Sequence, residues 1–297
     1  MDTKILLENG TNELEILEFK IGDNSYGINV AKINEIITYQ PVTPVPNAHP
    51  SIEGIFMPRD TMITAIDLRN ALQLGESEPG GLFIITNFNK LDVAFHVDKV
   101  VGINRYSWKQ IIKPDATINN GEEGISTGVI KMDNRLVIIL DFEKIVTDIS
   151  PETGLKLTEI DALGTRERSQ KPIVIAEDSH LLNKLISDAL TKAGYINQKR
   201  NEDGLAAWNY INECLDKGEL DEKVACVITD IEMPQMDGHR LTKLIKTDDR
   251  LKHIPVVIFS SLVNEEMRRK GEALGADAQL SKPEIGKLVQ EIDKLLQ

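Results

Sequence analysis

Through residue 148 the apolar positions come in short runs, each the length of a strand, with turn formers between them. Glu15–Ile21, Ser25–Asn29, Met62–Asp67, Leu82–Asn87, Leu91–Val97 and Leu136–Leu140 are the clearest of these runs. Gly22-Asp23-Asn24 and Asn87-Phe88-Asn89-Lys90 fall between strand-like runs and suit tight hairpin connections. Helical spacing is confined to Ala31–Ile37, Asp67–Leu72 and Trp108–Ile112. Many short strands with few helices predict an all-β module of barrels or a sandwich over residues 12–148.

The pattern then changes twice. Residues 149–170 are polar and turn-rich and read as a linker, although Leu155, Leu157, Ile160 and Leu163 are spaced for a short amphipathic helix. From 171 to 297 apolar strands alternate with helical stretches: PIVIAED, CVITD, IPVVIFSS and AQLSKP each precede one. Such alternation predicts an α/β domain, a parallel sheet with helices on both faces. Ile173–Ala176, Val224–Ile228 and Pro255–Phe259 are continuous apolar runs, as strands covered on both faces require.

In a doubly wound sheet the carboxyl ends of the strands share one edge, and ligands bind there. The residues that follow the strands are Glu177 and Asp178, then Asp230, then Ser260 and Ser261, then Lys282-Pro283. Three carboxylates brought together repel one another, so a hard divalent cation, Mg²⁺, is the expected neutraliser. A carboxylate beside such an ion can act as a nucleophile toward a phosphoryl group. Asp230 is the central candidate, with Lys282 and Ser260 placed to contact phosphoryl oxygens. One aspartate at a strand end is ordinarily a helix cap or turn former. Matched chemistry at four strand ends asks for more.

Composition narrows the function classes. At 297 residues the chain has room for two domains. The net charge of −13 holds no basic face for phosphates, which argues against a nucleic-acid partner. No apolar run approaches the roughly 18 residues of a membrane span, and the acidic N-terminus lacks a secretory h-region. A cytoplasmic protein with no direct membrane insertion is expected. The two cysteines, Cys214 and Cys226, have no metal-ligand spacing and read as inert thiols; His49 and His96 lie in unrelated segments and read as surface or core residues.

The stretches IAEDS, ITDIEMPQMDG, VVIFSS and LSKP make residues 171–297 resemble the receiver domains of bacterial two-component systems. The resemblance implies a flavodoxin-like sheet of order 2-1-3-4-5. It implies Glu177 and Asp178 as the acidic metal-binding pair for Mg²⁺, Asp230 as phosphoacceptor and metal ligand, Glu232 as donor of a backbone carbonyl to the metal, and Lys282 as the family lysine. Pro234 shapes the loop after Asp230, and Gly238 permits close backbone approach. Ser260 stands where the family has threonine, and Gln279 where it has a switch aromatic. A signal would therefore travel by the loop around Ser260 to Leu262 and the helix after it.

LEILEFKIGDNSYGINVAKINEII, VPNAHPSIEGIFMPRDTMITAIDL and STGVIKMDNRLVIILDFEKI resemble the CheW family of chemotaxis coupling proteins. That family implies two intertwined five-stranded SH3-like barrels with a groove between them, linking a histidine kinase to chemoreceptor cytoplasmic tips. Arg59 matches the arginine of the family's Asn-Leu-Arg-Gly segment, although Met57-Pro58 replace Asn-Leu, Asp60 replaces Gly, and Thr64 stands for the usual Pro. Ile36, Val42, Val45 and Ile55 are apolar candidates for the groove, with core packing as the plainer role for each. A CheW-like module followed by a receiver is the layout of the CheV family. That layout implies a non-enzymatic coupling adaptor associated with receptor arrays and regulated by phosphorylation of Asp230 during adaptation. Two other readings stand beside it. One is a phosphate sink for the chemotaxis kinase. The other is a Mg²⁺-dependent aspartyl-nucleophile phosphatase, against which Glu232 holds the place of the usual second aspartate and no cap domain is apparent.

Overall fold

The computed structural model describes residues 13–88, 91–112, 114, 124–132, 135–151, 158–164, 166–261 and 265–297. The Asn89-Lys90 corner, Leu155, Leu157 and Leu262 lie outside them. The chain divides into two compact units, Thr11–Thr153 and Gly154–Gln297.

The first unit opens with β1 (Glu13–Ile21) and β2 (Asn24–Asn29), paired antiparallel across the Gly22-Asp23 turn. The middle of the unit supplies β3 (Ile33–Thr38), β4 (Ile52–Phe56), β5 (Ile63–Asp67), a short helix α1 (Leu68–Ala71), β6 (Leu82–Phe88) and β7 (Leu91–Val97). It closes with β8 (Lys99–Ser107), β9 (Ile111–Ile112), β10 (Ser126–Lys131), β11 (Leu136–Leu140) and helix α2 (Phe142–Ile149). One sheet has the order β8-β1-β2-β11-β10-β9 and the other β3-β6-β7-β5-β4. The ends of the unit thus build one sheet and its middle builds the other, which is the intertwining expected. The first sheet carries six strands where five were expected, the extra one being the two-residue β9.

Each sheet curls around its own apolar cluster: Ile16, Tyr106, Ile130, Val137 and Ile139 in the first; Phe56, Ile63, Ala65, Phe83, Ile85 and Ala94 in the second. A third cluster joins the sheets through Leu17 and Phe19, Ile84 and Phe95, and Phe142, Ile145 and Val146 of α2. The helix expected over Ala31–Ile37 is instead a 3₁₀ turn, Val30–Lys32, followed by β3. Ile33, Ile36 and Ile37 do have helical spacing, but pairing along β6 wins, because ladder bonds and cross-strand packing outweigh a weak local preference. Trp108–Ile112 likewise splits into a 3₁₀ turn and β9.

His96 is a core residue. Its Nδ1 lies 2.9 Å from Glu53 Oε2 and its Nε2 2.6 Å from the Gly80 carbonyl oxygen. Two acceptors call for two N–H donors, so the site favours the imidazolium. Burial opposes that charge, but the hydrogen bonds to Glu53 and Gly80 and the charges of Glu53 and Asp67 outweigh it and raise the pKa above the ordinary 6.5. A raised histidine pKa contributes stability that is present below the unfolded value and lost as pH rises through the folded one. The first unit is therefore expected to lose resistance to urea as pH climbs from about 6.5, and His96→Gln to flatten that dependence. The check is Trp108 fluorescence in a Trp208→Phe background, since each unit holds one tryptophan.

The second unit begins with a single turn, α3 (Thr158–Asp161), and continues with β12 (Ile173–Ala176), α4 (His180–Lys192), β13 (Gln198–Asn201), α5 (Gly204–Lys217), α6 (Leu220–Lys223) and β14 (Cys226–Thr229). Then come α7 (Gly238–Thr247), β15 (Val256–Ser260), α8 (Glu265–Ala273), β16 (Ala278–Ser281) and α9 (Ile285–Leu295). The sheet is wholly parallel with the order β13-β12-β14-β15-β16, which is 2-1-3-4-5. β13 reads Gln-Lys-Arg-Asn and escapes any search for apolar runs, because an edge strand need not be buried on both faces. On one face Ile186 and Leu190 of α4 and Leu288 and Ile292 of α9 pack in one cluster with the strands; on the other, Ala207 and Ile211 of α5 and Leu241 and Ile245 of α7 do the same. Cys214 and Cys226 are buried free thiols, and burial pushes Cys226 up to about 12. Within the expected linker, Ile160 is buried in the α4–α9 cluster with Leu163 against it.

Candidate functional site

The parallel register brings the strand-end residues together. Ala176 pairs with Thr229, so Glu177 and Asp230, one residue further along, leave the sheet side by side. Ser260 pairs with Ser281, and the Lys282 amide donates to the Ser260 carbonyl at 3.2 Å. Glu177, Asp178 and Asp230 each present a carboxylate oxygen within 4.8 Å of the others. Lys282 Nζ lies 2.8 Å from Asp230 Oδ2 and 3.0 Å from Glu177 Oε2. Glu177, Asp230, Ser260 and Lys282 are all buried, and Asp178 is half-buried.

Three carboxylates gathered beside the Lys282 ammonium repel one another. Burial raises the Glu177 pKa well above the ordinary glutamate range; Lys282 opposes the rise, and Asp230 and Asp178 add to it. Glu177 Oε2 is fully buried, and Lys282 Nζ meets it as an ion pair at 3.0 Å. Three carboxylates presenting hard oxygen donors within 4.8 Å of one another, two of them buried, fit a small divalent cation.

The backbone fixes Asp230 closely. Its Oδ1 accepts from the Ile231 amide at 2.6 Å, and the Thr229 hydroxyl donates to its carbonyl oxygen at 2.8 Å. The loop after it turns through Gln235, which has a left-handed φ of 63°, and Glu232 is half-buried within it. Gly238 starts α7 so close to Asp230 that a methyl group there would lie 1.8 Å from the Asp230 carbonyl oxygen.

Sequence reading missed Asn183. Its amide donates to the carbonyls of Glu177 at 2.9 Å and Asn201 at 3.0 Å, pinning the turn that carries the acidic pair. The signal was an asparagine on the apolar face of α4, in step with Ile186 and Leu190. Gln279 is placed differently from a swinging ring: its amide donates to the Arg268 carbonyl of α8 at 2.8 Å.

In the first unit, Arg59 is exposed and pairs with Glu35 of β3 at 2.7 Å. Thr43 and Ile55 exchange backbone hydrogen bonds, which brings Val42 and Val45 alongside β4. Val42 packs on the core of the second sheet, Ile55 is half-buried, and Ile36 and Val45 are exposed. Met57 and Met62, exposed by 62% and 66%, flank Arg59 on the same connection and were not singled out from sequence.

Residues 15–150 match the CheW-like domain family, and residues 173–293 match the response regulator receiver domain. Chemotaxis protein CheV3 of Helicobacter pylori is 31% identical, over 96% of this chain and 95% of its own. The chain belongs to the CheV family. Chemotaxis protein CheV2 of the same organism is 30% identical over the same shares of both chains. Chemotaxis protein CheW of Thermotoga maritima is 30% identical over half of this chain and 98% of its own. A CheV-type protein is a coupling adaptor in which a CheW-like module, of the kind that partners chemotaxis receptors and kinases, is joined to a receiver, whose acidic pocket generally binds Mg²⁺. Among the described residues, no helix is long and apolar enough to cross a membrane.

Proposed function

We propose that this adaptor couples chemoreceptor cytoplasmic tips to the chemotaxis histidine kinase, and that phosphorylation of Asp230 adjusts the coupling. The observation that carries the phosphoacceptor assignment is Asp230 at the end of the central strand, 2.8 Å from Lys282 Nζ and beside Glu177 and Asp178. In the transfer, an Asp230 carboxylate oxygen forms a bond to phosphorus as the phosphorus–nitrogen bond of the kinase phosphohistidine breaks, and the released imidazole takes up a proton. Lys282 supplies positive charge to the phosphoryl oxygens and Ser260 a hydroxyl donor. Glu177, Asp178, Asp230 and the Glu232 carbonyl would hold Mg²⁺, which supplies charge neutralisation on those oxygens. Arg59, Ile36, Val45 and the neighbouring Met57 and Met62 form the partner-facing surface, supported by their exposure and by the Arg59–Glu35 pair that joins the β4–β5 connection to β3, with Val42 and Ile55 shaping its floor. The protein sits at membrane receptor arrays through these partners.

The test is co-sedimentation with receptor signalling tips and kinase in Mg²⁺, with and without beryllofluoride as phosphoryl mimic. Binding that shifts with beryllofluoride in the wild type and stays fixed in Asp230→Asn is the expected result. Binding unmoved in both would leave Asp230 as a phosphate drain, and no binding in either state would remove the coupling assignment.

A further inference from the structure

α3 is one helical turn, too short to hold itself by its own hydrogen bonds. Three successive side chains anchor it to the receiver. Ile160 is 2% exposed, within the cluster of Ile186, Leu190, Leu288 and Ile292. Asp161 Oδ1 pairs with Lys192 Nζ at 2.6 Å, at the end of α4. Glu159 Oε2 accepts from the Gly286 amide at 3.0 Å.

Gly286 lies in the first turn of α9, where backbone amides have no acceptor within the helix and a nearby negative charge is favourable. The N-cap residue Glu284 makes no side-chain cap bond there; its carboxylate meets Lys287 at 2.6 Å. The cap comes from the linker instead. A methyl group on residue 286 would lie 3.2 Å from both Cβ and Oε2 of Glu159, so glycine leaves the linker just enough room.

The capped turn leads straight back to Asp230. Lys282, whose ammonium bonds Asp230, is tied through its amide to Ser260, and the Glu284 amide donates to the Ser281 carbonyl at 2.8 Å. Pro283 stiffens the step between them. The run from Lys282 to Gly286 is thus held at one end by the Asp230 site and at the other by Glu159.

We propose that Glu159 is a positioning residue that couples the Asp230 site to the chain entering the receiver: the linker turn braces the segment carrying Lys282, and a phosphoryl group that engages Lys282 alters the hold on the linker turn. This rests on the phosphoacceptor reading above. Such a coupling is reciprocal, so loosening the linker turn must change the affinity for the phosphoryl mimic by the same factor.

The experiment is hydrogen exchange of the full chain in Mg²⁺, with and without beryllofluoride, in the wild type, Asp230→Asn, Glu159→Ala and Glu159→Gln. Beryllofluoride is expected to change exchange at residues 160–164 in the wild type and not in Asp230→Asn. Glu159→Ala should abolish that response and shift beryllofluoride affinity by about fivefold, while Glu159→Gln, which keeps an oxygen acceptor, recovers part of both. Slow exchange of the β14 amides shows that each variant is folded. Protection at Ile231 and Ser260 with residues 160–164 unmoved would overturn the coupling alone, as would wild-type beryllofluoride affinity in Glu159→Ala. No protection at Ile231 or Ser260 in the wild type would overturn the phosphoacceptor reading and this inference with it.

Discussion

Gly238→Ala is expected to destabilise the receiver by about 3 kcal/mol or more and to abolish its response to beryllofluoride. The reason is steric. The added methyl would meet the Asp230 carbonyl oxygen at 1.8 Å and the Thr229 hydroxyl oxygen at 2.9 Å. Neither contact can relax cheaply, because the Gly238 amide bonds the Ile231 carbonyl at 3.0 Å and its own carbonyl accepts from Thr242 at 2.7 Å. Moving α7 away means moving the backbone of Asp230. Gly218 is the control: it ends α5 at φ 70° with nothing near its missing side chain, so Gly218→Ala should cost only about 1 kcal/mol. Urea unfolding followed by Trp208 fluorescence in a Trp108→Phe background measures both. Equal losses at the two positions would sink the steric account.

Glu177→Gln is expected to reverse its effect on the receiver according to whether Mg²⁺ is present. In EDTA the wild type must ionise a buried carboxylate beside Asp230 and Asp178, while the unfolded chain ionises the same group in water. A folded pKa raised above the ordinary value near 4.5 means that stability is fully present below that value and is lost as pH rises through the raised one. The wild type in EDTA should therefore weaken from about pH 4.5 upward. Glu177→Gln, lacking the charge, should depend less on pH and be the more stable protein at neutral pH. With Mg²⁺ the order changes, because the cation then balances the carboxylates and the variant lacks one of them. Its Mg²⁺ affinity should fall roughly tenfold or more, the size of loss that outer-shell partners alone produce. Urea titrations across pH in EDTA and in Mg²⁺ give both readouts; a variant as sensitive to Mg²⁺ as the wild type would take Glu177 out of the cation site.

Much of this was legible before folding was considered. Continuous apolar runs ending in Glu177-Asp178, Asp230, Ser260 and Lys282 announce a parallel sheet and a site at its edge, because buried strands must be apolar and the chain can turn polar only where they end. In the first unit β1, β2, β5, β6, β7 and β11 were readable as short apolar runs with turn residues at their ends, whereas β4, β8 and β10 were not singled out.

Other features depended on partners far away in sequence. β3 carries helical spacing and becomes a strand only because β6 offers it a ladder. His96 looks like any strand histidine until Glu53 and the Gly80 carbonyl are brought to its two nitrogens. Asn183 shows its role only beside the carbonyls of Glu177 and Asn201. Glu159 reads as one more acid in a polar linker until Gly286, 127 positions later in the sequence, presents its amide. Hydrophobic periodicity and strand-end chemistry are local properties that the sequence by itself determined. The neighbours of each polar group were decided by the tertiary structure alone, because a hydrogen bond or a charge acts over a few ångströms of space, whatever the separation along the chain.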